Sequence, residues 1–114
     1  MSFLSEIKEI IEAEHLPVET AFYSDSAPSA YAVITPISDD YDVFAGDLPT
    51  VETCEVRVSI FTKGNYLILR DNLSRAFLRA GWVITERQFI DFEPDTGYSH
   101  YEIDVANFKE AGEF

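Results

Sequence analysis

Basic residues are scarce in this chain: 8 Lys and Arg stand against 21 Asp and Glu over 114 residues, for a formal net charge of −13. Binding to a phosphate backbone needs clustered positive charge, so sequence-specific DNA binding is not expected. The same excess of negative charge suits a protein past which DNA moves without being held, since like charges repel at close range.

Cysteine is nearly absent as well. Cys54 is the single one, so neither an intrachain disulfide nor a Cys-based zinc site can be assembled. No apolar run approaches the ~20 residues of a membrane helix, so no membrane is expected among the partners. Residues 1–15, MSFLSEIKEIIEAEH, interleave charged and apolar residues and lack the basic and apolar regions of a signal peptide. A reducing interior is the expected compartment.

Motifs for catalysis are missing too: the chain has no P-loop, no G-x-G-x-x-G and no G-x-S-x-G. Cys54 falls on the core-facing side of an alternating strand, where an inert buried thiol is usual. His15 and His100 are far apart in sequence, and the acids of segment 39–42 do not follow EF-hand spacing. We therefore expect no catalytic residue, no cofactor and no metal site. A small hydrolase would need a pocket uniting Cys54 or a carboxylate pair with a histidine.

What the chain does have is a composition that folds: 46% of its residues are hydrophobic and 14% aromatic. That content is far from the profile of a disordered acidic chain. A chain of this length buries roughly two-thirds of its unfolded surface, which is enough for one core. We expect a single domain over residues 1–114.

Two segments carry apolar residues at helical spacing. The first has Ser2 as its predicted N-cap and ends before Pro17. The second has Asn65 as N-cap and ends at Gly81. The stripe of the first helix comprises Phe3, Leu4, Ile7, Ile10 and Ile11, and that of the second comprises Tyr66, Leu69, Leu73, Phe77 and Ala80.

The remaining patterns indicate strands. Short strands are predicted at residues 20–23 and 31–37, where Pro36 suggests an edge or a strand end. Alternation from Cys54 to Ile60 is typical of a half-buried strand, and residues 82–93 and 98–105 form a hairpin around Pro94-Asp95-Thr96-Gly97. Residues 38–51 are predicted as an acidic loop insertion. The order α-β-β-β-α-β-β predicts an α+β domain: a largely antiparallel sheet of about five strands with two helices on one face.

Charge is segregated along the chain. Segment 39–55, DDYDVFAGDLPTVETCE, has six acids and no base, whereas segment 59–81 holds four of the eight bases. A solvated helix face is one interpretation of the basic segment. The other is a contact between copies, in which the basic helix of one meets the acidic loop of the next and the contacts close into a ring. The residues of this hypothetical interface are Asp39, Asp40, Tyr41, Asp42, Phe44, Asp47, Leu48, Arg70, Arg75 and Arg79.

Residues 55–106 contain three local features of one kind of phage protein. They are Thr62-Lys63-Gly64-Asn65 between a strand and a helix, Ala80-Gly81-Trp82 at the end of that helix, and Asp95-Thr96-Gly97-Tyr98-Ser99-His100-Tyr101 before the last strand. On these the chain resembles the tail terminators, also called tail completion or tail-to-head joining proteins, of long-tailed phages and prophages of Gram-positive bacteria.

The resemblance implies a non-catalytic virion protein of the tail or neck, present in the host cytoplasm during assembly. Its copies are expected to form a ring, typically six-fold, on the last ring of the tail tube and to present the surface that joins the head connector. The implied partners are further copies of itself, the tail tube protein and a connector or stopper protein, with DNA passing through the lumen. The alternatives are a head-side stopper or adaptor and a non-viral cytoplasmic interaction module.

Overall fold

The computed structural model of the chain describes residues 2–19, 28–45 and 48–110. The predicted α+β class and the predicted order of elements are confirmed. The strand predicted at residues 20–23 lies outside the described residues. The elements are α1 (Phe3–Ala13), β1 (Val18–Glu19), β2 (Ala30–Ala45), β3 (Leu48–Thr62), α2 (Tyr66–Arg79), β4 (Val83–Phe92) and β5 (Ser99–Glu110).

Both helices begin at the N-caps that the sequence predicts. The Ser2 hydroxyl accepts a hydrogen bond from the Ser5 N–H at 3.2 Å, and Asn65 Oδ1 accepts one from the Leu67 N–H at 2.9 Å. Each cap satisfies an N–H of the first turn that has no partner within the helix. After α2, Gly81 has a φ of 88°, a left-handed conformation that glycine adopts without strain and that ends the helix as predicted.

The five strands form one sheet in the order β1-β2-β3-β5-β4. β1 runs parallel to β2, whereas β2–β3, β3–β5 and β5–β4 are antiparallel pairs. The sheet is therefore mixed but largely antiparallel. β4 forms one outer edge of the sheet. At the other edge, the described residues of β1 pair with Ala32 and Val33 of β2.

The prediction of a loop over residues 38–51 is wrong for the described part of that segment. Pairing of β2 with β3 continues through it and ends with Ala45 opposite Leu48. Residues 38–41 are all exposed, so the apolar alternation that reveals a half-buried strand is missing. Pro36 lies within β2, opposite Val56 and beside a bulge. A proline is tolerated there because no strand in the described part of the chain pairs with β2 on its outer side at this point.

Both helices pack on the same face of the sheet, as predicted, and the main core lies between them and the strands. Trp82 joins the two helices, with ring centroids 5.6 Å from Phe3 and 6.3 Å from Phe77. The opposite face, against which neither α1 nor α2 packs, is called the helix-free face below, and it holds a smaller apolar cluster. The core includes Ile7, Ile11, Ala32, Val56, Val58, Ile60, Leu73, Phe77, Ile103 and Val105; the smaller cluster consists of Tyr31, Val33, Phe61 and Tyr98.

Candidate interaction surfaces

The acidic hairpin is the distal part of β2 and β3, residues 38–45 paired with 48–55. β5 accompanies β3 as far as the pair of Val51 with Glu110. Beyond that pair, the described part of the chain contributes only two strands. A two-stranded ribbon is marginally stable in water unless another element covers it. The end of the acidic hairpin is therefore a segment that gains from contact with a partner.

The carboxylates of the acidic hairpin point to both sides of the sheet. Asp39 pairs with Cys54, a core residue, so Asp39 lies on the helix-covered side. Asp40 pairs with Thr53 and lies on the helix-free face, because successive strand residues alternate. Both aspartates are exposed. The acidic surface predicted from the sequence is thus divided between two faces of a thin ribbon.

The other residues predicted in this part of the interface are placed by backbone register alone. Tyr41 lies opposite Glu52 and is exposed. Asp42 pairs with Val51, Phe44 with Pro49 and Leu48 with Ala45. Asp47 lies outside the described residues. The structure therefore brings all of the described members of the acidic group onto one hairpin.

The three predicted arginines of α2 have different surroundings. Arg70 is partly buried, and its Nε lies 2.9 Å from Asp71 Oδ1; this hydrogen bond lowers the pKa of the Asp71 carboxyl. Arg75 is exposed and donates to Asn72 Oδ1 at 2.9 Å. Arg79 is exposed in the last turn, where a cation is favourable next to the helix C-terminus. Arg75 and Arg79 are the two that present charge to solvent.

No ion pair between described residues joins the acidic hairpin to the exposed arginines of α2. Among the described residues, the ion pairs connect Arg57, Arg70, His100 and Lys109 to nearby carboxylates. None of them joins Arg75 or Arg79 to the hairpin. Two surfaces of opposite charge therefore remain open to another molecule.

A charged network on the helix-free face is a feature that the sequence interpretation does not anticipate. Arg57 in β3 lies opposite Asp104 in β5 and donates to its carboxylate from Nε at 3.0 Å and from Nη2 at 3.1 Å. Glu102 Oε1 lies 3.3 Å from the same Nε. The sequence signal is the pair of alternating charged positions 55 and 57 in β3 and 102 and 104 in β5, which becomes meaningful only when the register of the strands is known.

Carboxylates outnumber cations on this helix-free face. Cross-strand partners share a face, so the residues paired with Arg57 and with its neighbours on β5 and β4 lie together. Arg57 is engaged with two acids, and the Lys63 ammonium lies 5.0 Å from the ring centroid of Tyr98 in the apolar cluster of this face. The acids are Glu55, Glu86, Asp91, Glu102 and Asp104.

Cys54 and His100 cannot act together as a nucleophile and its base. Cys54 faces the core, and burial raises the pKa of its thiol to about 11. His100 is on the opposite face of the sheet, stacked on Phe61 at 4.3 Å between ring centroids. Its Nε2 lies 3.4 Å from Glu102 Oε2, without the alignment of a hydrogen bond. Burial lowers the pKa of His100 although Glu102 opposes the shift.

Two adjoining grooves lie between α1 and the outer side of β2. One has a volume of about 490 Å³ and the other about 270 Å³, and both are lined by Leu4 and Pro36. Val18 and Ile34 add apolar surface to the larger groove. In the part of the chain that the structure describes, no group of three or more His, Cys, Asp or Glu is arranged to hold a metal ion.

None of the helices in the described ranges has the length and apolar character needed to cross a membrane. Comparison of the chain with models of known protein families finds no match, and comparison with curated proteins finds no significant match either.

Proposed function

We propose that this chain is a virion structural protein: a tail terminator whose copies form a ring on the tail tube and join it to the head connector, without catalysis. The observation that carries the proposal is the acidic hairpin, a two-stranded ribbon beyond Val51 that the described part of the chain leaves without a third strand. Such a ribbon is stabilised by docking on a neighbour.

The exposed arginines of α2 supply the complementary surface. Arg75 and Arg79 project from one helix and have no ion pair with the acidic hairpin in the described residues. A contact between the hairpin of one copy and α2 of the next is heterologous, and heterologous contacts close into rings when the rotation between copies permits. Opposite charge fixes the partner and the register, while Tyr41 adds an exposed aromatic ring.

The helix-free face supplies the surface past which DNA moves. Its carboxylates outnumber Arg57, which is already paired with Glu102 and Asp104. If this face lines the lumen of the ring, a polyphosphate chain is repelled from the wall instead of binding to it. No cofactor is required. The partners are further copies, the tail tube protein and the connector or stopper protein of the head.

Charge reversal tests the contact. The triple variant Asp39→Lys, Asp40→Lys and Asp42→Lys is expected to abolish rings on tail tubes in electron micrographs, because the hairpin would then repel α2 of its neighbour. Adding Arg75→Glu and Arg79→Glu to the same chain is expected to restore them. The matched control makes the same change in net charge at exposed positions outside the hairpin and should form rings. It consists of Glu9→Lys, Glu12→Lys and Asp95→Lys. Rings of the first variant identical to wild type would remove the hairpin from the interface.

The assignment to the tail is tested by pull-down. The tagged protein is incubated with purified tail tubes and, separately, with purified portal. Retention on tubes and shorter tails in an assembly reaction are the expected results for a terminator. Retention on portal alone would assign the protein to the head side and contradict the proposal.

A further inference from the structure

β4 is an edge strand among the described residues, with the sequence VITERQFIDF. It contains no lysine and no proline, but it carries the charged residues Glu86, Arg87 and Asp91 and has two register shifts against β5, features that restrict pairing at a sheet edge. Phe89 is 43% exposed and Phe92 is 51% exposed. Both lie on the helix-covered side, because their β5 partners, Tyr101 and Ser99, alternate with His100.

Within residues 2–19, 28–45 and 48–110, no strand pairs with the opposite edge of the sheet beyond Val33 of β2. Residues 35–41 of β2 are exposed. Ile37, at the bulge, is 42% exposed. The groove of about 490 Å³ beside this edge is lined by Leu4, Val18, Ile34 and Pro36 together with polar residues. Apolar side chains that approach from the helix-covered side therefore find an apolar groove there.

The strand directions allow these two edges to meet in copies related by rotation alone. Since β2–β3, β3–β5 and β5–β4 are all antiparallel, β4 runs opposite to β2. A rotation axis parallel to the strands keeps every copy pointing the same way, so β4 of one copy lies antiparallel to β2 of the next. The helices of all copies then lie on the same side of the continuous sheet, and nothing in this arrangement stops it from closing.

We propose that β4 of one copy adds to the edge of β2 in a second copy, with Phe89 and Phe92 entering the groove beside α1. This inference rests on the ring of the proposed function and adds a contact distinct from the acidic hairpin. The pairing of β4 with β2 and the contact of the acidic hairpin with α2 can form in the same arrangement of two copies. In an antiparallel pair, Val83 at the start of β4 lies beside the later residues of β2, which are the acidic ones, and Arg79 at the end of α2 precedes Val83 by four residues. The acidic hairpin of one copy thereby comes next to the basic end of α2 in its neighbour.

Two variants each disable one edge. Phe92→Lys places a charge on β4, and Ile37→Lys places one on the edge of β2; both positions are about half exposed, so the fold should tolerate them. The matched control is Phe108→Lys, at an aromatic residue of β5 that is 66% exposed and belongs to neither edge. Sedimentation velocity over a series of concentrations measures association. Each edge variant is expected to associate at least tenfold more weakly than wild type, and the control as strongly as wild type.

Mixing the two variants tests the head-to-tail geometry. A 1:1 mixture of Phe92→Lys and Ile37→Lys contains one pair of intact edges for each pair of chains, so a dimer that grows no further is the expected species. Assembly of either variant alone at wild-type strength overturns the pairing, as does a mixture that stays monomeric. A wild-type chain that is monomeric at every concentration overturns it as well.

Electron microscopy on tail tubes separates this inference from the proposed function. Rings formed equally by wild type and by both edge variants would reject the pairing of β4 with β2 and leave the terminator proposal in place. Absence of wild-type rings from tail tubes would reject the terminator proposal, whatever the sedimentation results. Rings formed by wild type and Phe108→Lys but by neither edge variant are the result expected if both are correct.

Discussion

The Arg57 guanidinium donates two hydrogen bonds to the Asp104 carboxylate, from Nε to Oδ1 at 3.0 Å and from Nη2 to Oδ2 at 3.1 Å. Asp104 is buried on a face that no helix covers, whereas the Arg57 side chain remains 41% exposed. The arginine therefore satisfies a carboxylate that has little access to water, which is a stronger arrangement than an ion pair on the open surface.

Arg57→Ala is expected to lower the free energy of unfolding by about 1–2 kcal/mol, because it leaves the Asp104 carboxylate buried without its two donors. Urea denaturation followed by Trp82 fluorescence measures this value. Arg75→Ala, which removes an exposed arginine bonded only to Asn72 among the contacts seen, should change stability by less than about 0.5 kcal/mol. An equal decrease in the free energy of unfolding for the two substitutions would show that the charged network on the helix-free face stabilises the fold no more than an exposed arginine does.

His100 is expected to make stability depend on pH in mildly acidic solution. Burial lowers its pKa below the usual 6.5, so the unfolded chain binds a proton at a pH where the folded chain does not. The stability contributed by the neutral imidazole is fully present above pH 6.5 and is lost as the pH falls through the lowered pKa. The prediction is a free energy of unfolding that decreases as the solution is acidified below this value.

The variant that tests this is His100→Gln, compared with His15→Gln as the control. Urea denaturation is measured from about pH 7 to about pH 5.5. This window lies above the pH range in which most carboxylates titrate. His100→Gln should flatten the curve, and His15→Gln should retain the wild-type slope. A wild-type slope in the His100 variant would assign the pH dependence to other groups.

The elements that the sequence predicts well are those with one buried side. In α1, Ile7 and Ile11 are fully buried one turn apart, and in β3 the alternation of Val56, Val58 and Ile60 marks the core face. Such patterns exist because one face must leave water while the other remains in it. The two N-caps can also be predicted from the sequence, because the side chain of a cap residue bonds to the helix that directly follows it.

The acidic hairpin escaped prediction for the converse reason. Residues 38–41 of β2 are all exposed, so burial imposes no period of two on them. The signal that was available is the dipeptide Gly46-Asp47, one of the pairs typical of a two-residue hairpin turn. The pairing of Arg57 with Asp104 could not be predicted for another reason. The two residues are 47 positions apart in the sequence, and the register of β3 with β5 brings them together.

Gly81 is expected to resist substitution because of its backbone alone. Its φ is 88°, and a Cβ added there would meet no atom within 4 Å, so steric crowding plays no part. Gly81→Ala should cost about 1–2 kcal/mol of stability from left-handed strain. Gly64→Ala is the control, since a Cβ there would lie 3.6 Å from Thr62 Oγ1 in ordinary contact and no positive φ is present; little or no loss is expected. Similar losses at both positions, measured by urea denaturation, would contradict the strain argument.

Cys54 is expected to be almost unreactive until the protein unfolds. With a pKa of about 11, only about one thiol in a thousand is ionised at pH 8, compared with about a quarter for an unperturbed cysteine. Labelling by a thiol reagent should therefore be slow in buffer and fast in urea, and its rate should rise in a destabilised variant such as Arg57→Ala. Rapid stoichiometric labelling of the native protein would show that this part of β3 is open to solvent.

The helix-free face is expected to keep DNA from binding, and reversing its charge should reveal this. Glu86 and Asp91 are exposed on β4 and lie on that face beside Asp104 and His100. The double variant Glu86→Lys and Asp91→Lys changes the net charge from −13 to −9 and removes the excess of negative charge on this face, where three acids then stand against Arg57 and the two new lysines. We expect weak binding of duplex DNA in gel shifts at low salt, with an affinity that falls steeply as salt is added. Wild type should not bind. The control, Glu9→Lys and Glu12→Lys on α1, makes the same change in net charge on a different surface and should bind less. Equal binding by the two variants would mean that overall charge, and not this face, governs the response to DNA.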